Sequence, residues 1–245
     1  MTNINQAKNR SSCSCMMIVR DAEDTIFDCL DSIFIAGCFD QIIIIQDTRT
    51  SDRTPEIIYY MRESHPEITY GWHKWVNYDF SEARNKALSL VKAKYGFWMD
   101  SDDILIDGGG VRNILKNPGN NSYLFQVLCP DPGWKSESNV EFPVVEHLRL
   151  FPIIPGLKWE LPVHEQIAFA LREAKIPEIS TPYRILHIGY LKKQDVAQKH
   201  ERNFQIMQKW LSQHPEDTPQ TRYLSERYQD SLRYFNSKGD NLANI

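Results

Sequence analysis

Four consecutive residues, Asp100-Ser101-Asp102-Asp103, place three carboxylates within one turn of backbone. Carboxylates this close repel one another unless they are solvated or share a cation. Phe97, Trp98 and Met99 just before them read as a buried strand, which makes its end a poor place for plain solvation. A divalent ion resolves the conflict, because Mg2+ and Mn2+ take one or two protein carboxylates and complete their shell with phosphate and water. The same residues also suit a solvated acidic turn that caps the next helix. On residue type alone both readings stand.

Other chemically able residues are scattered along the chain. Asp47 ends the run Q-I-I-I-I-Q, where a fixed carboxylate accepts well from an N–H donor or caps a turn. Asp52, in Ser-Asp-Arg-Thr before Pro55, reads first as a helix cap. Arg84 lies one helical turn after Phe80; its fork matches a diphosphate or Asp100, and Glu82 or Asp79 would serve it as surface partners. Glu165, in W-E-L-P-V-H-E-Q, is a candidate general base whose pKa burial beside Trp159 and Val163 would raise. His164 and Glu160 compete with it, and favourable charge near a helix start is its plainer role. His187 follows an apolar strand, where a lone histidine is more often a satisfied core residue than a ligand.

Elements must position these groups. Residues 15–20 read as a strand and 24–36 as a helix closed by Gly37; 41–46 is a β-branched run of the kind found in central parallel strands. A helix opens at Pro55, a short strand covers 67–73, and Asp79 to Ala93 is an amphipathic helix. The aromatic strand before Asp100 follows. Such alternation predicts an α/β fold with an open sheet, whose ligands bind beyond the carboxyl ends of the strands, so Asp47 and the Asp100 cluster share one rim. From Asp107 the glycines 108–110 and the stretch 117–121 break the pattern. Extended segments at 122–129 and 144–151, a helix over 164–174 and a strand over 183–190 come next. From about Lys192 the chain is charged and helical, with Phe204, Trp210, Tyr223, Tyr228 and Tyr234 as anchors.

Composition excludes several classes. With 245 residues and 42% hydrophobic content, the chain supports one sizeable core. A net charge of −4 gives no basic face for nucleic acid. Five cysteines, an odd number partly buried in elements, fit reduced thiols and a cytoplasmic location, and Cys13 and Cys15 stand too close for a zinc pair. The polar N-terminus is unlike a signal peptide, and no run reaches the roughly 20 apolar residues of a membrane span. A soluble protein is expected, with peripheral membrane contact left open.

Eight segments in order carry a resemblance. They are M-I-V-R-D (Met17 to Asp21), I-I-Q-D-T-R-T-S-D-R-T (Ile44 to Thr54), D-F-S-E-A-R-N (Asp79 to Asn85) and W-M-D-S-D-D (Trp98 to Asp103). Then come L-R-L-F (Leu148 to Phe151), W-E-L-P-V-H-E-Q (Trp159 to Gln166), H-I-G-Y (His187 to Tyr190) and K-H-E-R-N (Lys199 to Asn203). The chain thereby resembles the inverting family-2 glycosyltransferases of GT-A fold. That likeness implies an α/β, Rossmann-like open mixed sheet flanked by helices over 15–191, with a flexible stretch over 1–14 and a helical extension over 192–245 packed on the main domain.

The resemblance also implies roles. Val19, Arg20, Asp47, Arg84, Asp100 and Ser101 would bind a nucleotide-diphosphate sugar, with Asp47 on the base and Asp100 on the ribose. Asp102 and His187 would hold Mn2+ or Mg2+, the nitrogen favouring Mn2+. Glu165 would be catalytic, and Trp159 and His164 would meet the acceptor, a hydroxyl of a glycan, lipid or protein. A UDP-sugar is the favoured donor and a GDP-sugar the second. Lys192, Lys193 and Lys199 would close over the phosphates or simply form a solvated face. Arg49 departs from the family, which usually has a small residue after Asp-Thr. Two other readings are a carboxylate-pair glycoside hydrolase using Asp102 and Glu165 and a non-catalytic sugar binder. The first leaves Asp47, Arg84 and the acidic cluster without a task.

Overall fold

The structure, a computed structural model, describes residues 10–75, 79–130, 143–189 and 193–237. Apolar runs alternate with amphipathic segments to give β1 (Cys13–Val19), α1 (Ile26–Ala36), β2 (Gln41–Asp47), α2 (Thr54–Ser64), β3 (Ile68–His73), α3 (Phe80–Leu88) and β4 (Tyr95–Trp98). The second half adds β5 (Asp103–Leu105), α4 (Gly108–Lys116), β6 (Ser122–Leu128), β7 (Val144–Pro152), α5 (Ala168–Glu173) and β8 (Glu178–His187). Two long helices close it, α6 (Lys193–Gln213) and α7 (Pro219–Ser237).

Among the described residues the strands form one mixed sheet in the order β3-β2-β1-β4-β7-β6-β8-β5. β1 to β4 run parallel, and β7 enters antiparallel beside β4. This is the open α/β sheet that the alternation predicts, mixed as the resemblance implies. Because helices cover both faces, β1 and β2 are buried at every position. Their side chains alternate: Met17, Val19, Ile42 and Ile44 pack with Leu30 and Ile33 of α1 on one face. Met16, Ile18, Ile43 and Ile45 pack with Ala83 and Ala87 of α3 on the other. Phe97 and Trp98 split in the same way. Methyl and ring burial on both faces is the main stabilising term, at roughly 1.5–3 kcal/mol for each large side chain.

Four expectations need correction. Gly108 to Gly110 open α4 rather than break the pattern, because bare backbone is needed there. A Cβ on Gly108 would stand 2.4 Å from Ala36 Cβ in α1, and one on Gly110 2.2 Å from the Tyr183 ring in β8. The helix expected over 79–93 ends at Leu88, since the turns at Leu90 and Val91 lead the chain into β4 and the Leu90 carbonyl accepts from Gln41 Nε2 at 3.1 Å. The helix expected over 164–174 starts only at Ala168. Before it, Leu161 and His164 have φ of 76° and 53°, and the Glu160 and Gln166 backbones bond each other in both directions at 3.0 and 2.9 Å. Residues 10–14, expected in a flexible N-terminus, are held by the Arg10–Asp40 ion pair at 2.9 Å and by β1 itself. Residues 1–9, the side chains of Lys193 and Tyr234, Lys192 and the expected boundary at 191 and 192 lie outside the described residues.

The C-terminal helices rest on the main body through a third apolar cluster. Met207 of α6 and Leu224 of α7 meet Leu161 and Val163, flanked by Phe80, Phe169, Trp210 and Tyr223. Phe204 and Tyr228 stack at 4.7 Å between the two helices. Among the described residues no helix is long and apolar enough to cross a membrane.

Candidate active site

β4 is buried along its length and continues through Met99, whose N–H donates to the Met16 carbonyl at 3.0 Å. The chain then turns sharply: Asp103 N–H donates to the Asp100 carbonyl at 3.1 Å, and Asp100 N–H to Asp103 Oδ2 at 2.9 Å. β5 begins at Asp103 directly opposite His187 of β8. This register brings Asp100, Asp102, Asp103 and His187 together, each offering a ligand atom within 4.8 Å of the others. Ile188 N–H donates to the Asp102 carbonyl at 2.9 Å and fixes the loop that follows β8.

The charges are not alike. Asp103 is fully buried, pairs with Arg149 Nη1 at 2.9 Å and accepts from His187 Nδ1 at 2.9 Å. Burial pushes the Asp102 carboxyl up to about 6, helped by Asp100 and Asp103 and opposed by His187. Burial also works against charge on His187, yet the Asp103 hydrogen bond and the field of Asp102 outweigh it and push the ring up to about 9. For Asp100 burial is outweighed by Arg84 and Arg149, which hold the carboxyl well below the usual range. The sequence makes Asp102 and Asp103 look equivalent; the fold sets one on the cavity and buries the other against Arg149 and His187.

The space between these groups fits a small cation. A Cβ built on Gly189 would lie 2.0 Å from Asp102 Oδ2 and 3.0 Å from His187 Nε2, so both atoms border a cradle that a methyl group would fill. Carboxylate oxygens with one imidazole suit Mn2+ or Mg2+.

Arg84 links this cluster to the other end of the site. It is nine-tenths buried, donates from Nη2 to Asp100 Oδ1 at 2.7 Å and from Nε to Glu165 Oε1 at 2.6 Å, and stands over Trp98 and Trp159 at 4.4 and 5.0 Å. Of the partners weighed for it, the fold selects Asp100 and adds Glu165. Glu165 therefore sits in a loop against a guanidinium, not at a helix start in the apolar slot expected of it. His164 also faces the cavity, and burial together with Arg227 and His200 lowers its pKa against the pull of Glu165. Glu160 is turned away, bound by Gln220 at 3.0 Å and Lys158 at 3.7 Å. Trp159 is 4% exposed, edge-on to Trp98 and Phe151, so most of its ring serves the core while one border reaches the cavity.

The residues expected to bind the nucleotide fall into two groups. Arg20, Arg84, Asp100 and Ser101 line a cavity of about 1210 Å3 together with Asp102, His187 and Glu165. Val19 is buried in the core. Asp47 is buried at the strand end and gripped by Arg49, whose Nε and Nη2 donate at 3.1 and 2.6 Å and whose Nη2 also reaches the Trp75 carbonyl at 3.0 Å. Burial opposes the Asp47 charge, but Arg49 holds that carboxyl below its ordinary value. Asp52 accepts from Thr54 N–H at 3.0 Å and Glu23 N–H at 2.8 Å, the turn-holding role its sequence suggests.

Sequence reasoning missed part of the wall. His200 and Arg202 of α6 and Arg227 of α7 line the cavity opposite the sheet rim; Lys199, weighed from the sequence for a closing role, and Tyr223, expected as an anchor, join them, and the Lys199 charge acts on Asp102. His147 and Arg149 of β7 were also passed over. His147 lines the cavity and is pushed down to about 4, by burial first and then by Arg149. Their signal was a charged residue inside the apolar stretch L-R-L-F.

The model of a family described as "Glycosyl transferase family 2" matches residues 14–187. A TPR repeat-containing protein of Synechococcus elongatus is 30% identical over 218 residues, covering 83% of this chain and 49% of its own length. The SPbeta prophage-derived glycosyltransferase SunS of Bacillus subtilis is 25% identical over 214 residues, covering 83% and 46%. The chain thus spans about half the length of these curated relatives. Among solved structures, the mannosyltransferase PcManGT from Pyrobaculum calidifontis, in complex with GDP-Man and Mn2+, superposes with TM-score 0.58 at 14% identity, covering 91% of this chain and 70% of that one. Residues 1–349 of S. aureus TarS with UDP-GlcNAc give TM-score 0.53 at 14% identity, covering 92% and 73%. At that identity the likeness establishes the fold, which is GT-A-like.

Proposed function

We propose, from the premise that this chain belongs to glycosyl transferase family 2, that it transfers a sugar from a nucleotide-diphosphate sugar to an acceptor hydroxyl with inversion at the anomeric carbon. The observation that carries the proposal is the convergence of Asp100, Asp102 and His187 with Glu165 on one cavity. Its 1210 Å3 exceeds the roughly 300–1,000 Å3 of common single-ligand sites and leaves room for donor and acceptor together.

Asp102 and His187 are the residues that would hold Mn2+ or Mg2+, while Asp100, held by Arg84 at 2.7 Å, would accept from the ribose. A divalent cation bound there supplies Lewis-acid stabilisation of the charge on the leaving diphosphate. Arg20, Ser101 and Lys199 line the donor's path, Lys199 adding a positive charge opposite the acidic cluster. At the other end Glu165 accepts the proton of the acceptor hydroxyl as its oxygen bonds to the anomeric carbon and the bond from that carbon to the diphosphate oxygen breaks. Arg84 keeps that carboxylate oriented through its 2.6 Å contact. The products are the glycoside and a nucleoside diphosphate. His164 stands beside Glu165 as an acceptor-binding residue, and the exposed border of Trp159 offers the sugar an aromatic edge.

A UDP-sugar is the favoured donor, ahead of a GDP-sugar, and the acceptor is a hydroxyl of a glycan, lipid or protein. Five free cysteines, four of them buried, support a reducing cytoplasm as the place of work. A thermal-shift screen of UDP-, GDP- and dTDP-sugars with and without Mn2+ tests the proposal. Saturation at 100 times Kd adds about 2.7 kcal/mol of stability. A metal-dependent shift with one nucleotide is expected; no shift with any of them would refute the donor site.

A further inference from the structure

Arg149 is an arginine in the middle of a buried strand. It is 1% exposed, its flanking Leu148 and Leu150 are core residues, and its Nε has no hydrogen-bond partner. Buried ion pairs are commonly replaceable by apolar residues without loss, and an unsatisfied buried N–H carries a desolvation cost. Stability therefore gives no reason for this residue. Its contacts give one. Nη1 meets Asp103 Oδ2 at 2.9 Å and donates to the Trp98 carbonyl at 3.3 Å, while the guanidinium carbon lies 3.6 Å from the Trp98 ring centroid.

We infer that Arg149 is a positioning residue which reserves Asp103 for His187 and thereby turns His187 Nε2 toward the cradle beside Asp102. Three carboxylates within 4.8 Å offer more anionic oxygen than one small cation requires. Arg149 occupies Asp103 Oδ2, leaving Oδ1 to accept from His187 Nδ1 at 2.9 Å. With Nδ1 committed, the ring presents Nε2, the atom that lies 3.0 Å from where a Cβ on Gly189 would stand and shares that space with Asp102 Oδ2. Carboxylate partners of this kind orient ligating histidines and raise their basicity. Trp98 completes the brace: Arg149 and Arg84 both lie over its ring, so the aromatic side chain fixes the two guanidiniums that serve the two ends of the site.

The inference rests on the metal-bearing reading above, and the test separates the two. Mn2+ alone, without nucleotide, is titrated into the full chain and into Arg149→Met, Arg149→Lys and Asp103→Asn. Electron paramagnetic resonance measures affinity, pulsed spectra report the imidazole nitrogen coupling of bound Mn2+, and circular dichroism with thermal melts confirms folding. Wild type should show the nitrogen coupling. Arg149→Met and Asp103→Asn should lose it and bind about 10–100-fold more weakly, as loss of an orienting partner does elsewhere. Arg149→Lys, which keeps the charge, should regain the coupling. If Arg149→Met fails to fold, Asp103→Asn makes the same comparison. A folded Arg149→Met or Asp103→Asn with wild-type affinity and intact coupling overturns the inference alone. No Mn2+ binding by wild type overturns the metal-bearing reading and this inference with it.

Discussion

Gly189→Ala is a single-methyl test of the cradle. Gly189 does not lie in the left-handed backbone region, so alanine brings no conformational strain of its own. The added Cβ would meet Asp102 Oδ2 at 2.0 Å, Asp102 Cγ at 2.9 Å and His187 Nε2 at 3.0 Å. Heavy atoms do not approach a Cβ closer than about 3 Å, so the carboxylate must retreat by about 1 Å, and misplacement on that scale costs about 100-fold in rate. That factor corresponds to about 2.7 kcal/mol of barrier. Fold stability should hardly move, because replacing glycine where the backbone permits contributes about 0.4–1 kcal/mol through the unfolded chain, which offsets local crowding. Initial rates titrated with Mn2+, alongside a thermal melt, separate the two effects. The expected variant melts like wild type, needs more Mn2+ and turns over about 100-fold more slowly. Turnover within threefold of wild type at the same Mn2+ requirement would refute the assignment of Asp102 and His187 to one cation.

Glu165→Gln should leave the nucleotide-sugar thermal shift in place and slow transfer by about 10²–10⁴-fold, the usual worth of a general base; near-normal transfer would hand the role to His164. Gly110→Ala should cost about 1–3 kcal/mol in urea unfolding, since its Cβ would strike the Tyr183 ring at 2.2 Å, while Mn2+ affinity stays constant. His147 makes a pH-dependent prediction. Its folded value of about 4 lies below the unfolded 6.5, so its neutral form contributes stability that is complete above pH 6.5 and is lost as pH falls through 4. His147→Gln should therefore flatten the stability–pH curve across that window, removing on the order of 2 kcal/mol of acid-induced loss in urea melts at pH 7 and pH 4. Parallel curves for the two proteins would show that the ring is not held neutral.

The parallel half of the sheet was readable because its residues obey local rules. Four isoleucines in a row in β2 announce a strand covered on both faces, and Gly37 ends α1 in the left-handed conformation, with φ of 57°, that glycine adopts easily. Asp100, Asp102, His187, Arg84 and Glu165 were likewise legible as candidate groups, and the fold brings them to one cavity. What remained hidden depends on partners distant in sequence. Asp103 differs from Asp102 only through Arg149 and His187, which reach it from β7 and β8. Arg149 itself reads as a stray charge in L-R-L-F until Asp103 is placed beside it. Asp47 reads as an open carboxylate, whereas Arg49, two residues later, folds back onto it. Gly108 and Gly110 read as breakers because the close neighbours that demand them, Ala36 and Tyr183, lie far off in the chain. Of the wall from α6 and α7, His200, Arg202 and Arg227 were missed and Lys199 was left between two roles for the same reason: a charged amphipathic helix looks alike whether its polar face meets solvent or a cavity.

Asp103 and His187 are register partners between β5 and β8, separated by 84 positions. During synthesis the acidic turn leaves the ribosome well before its histidine does. The parallel half can pair from local units, but the cradle between Asp102 and His187 exists only once β8 has docked. A truncated chain ending before residue 187 would carry the same acidic turn without the His187 imidazole or the glycine that follows it. On the proposed reading, cation affinity at this cluster would report that β8 has docked against β5, and would tell a chain that has reached Gly189 from one that stops short of His187.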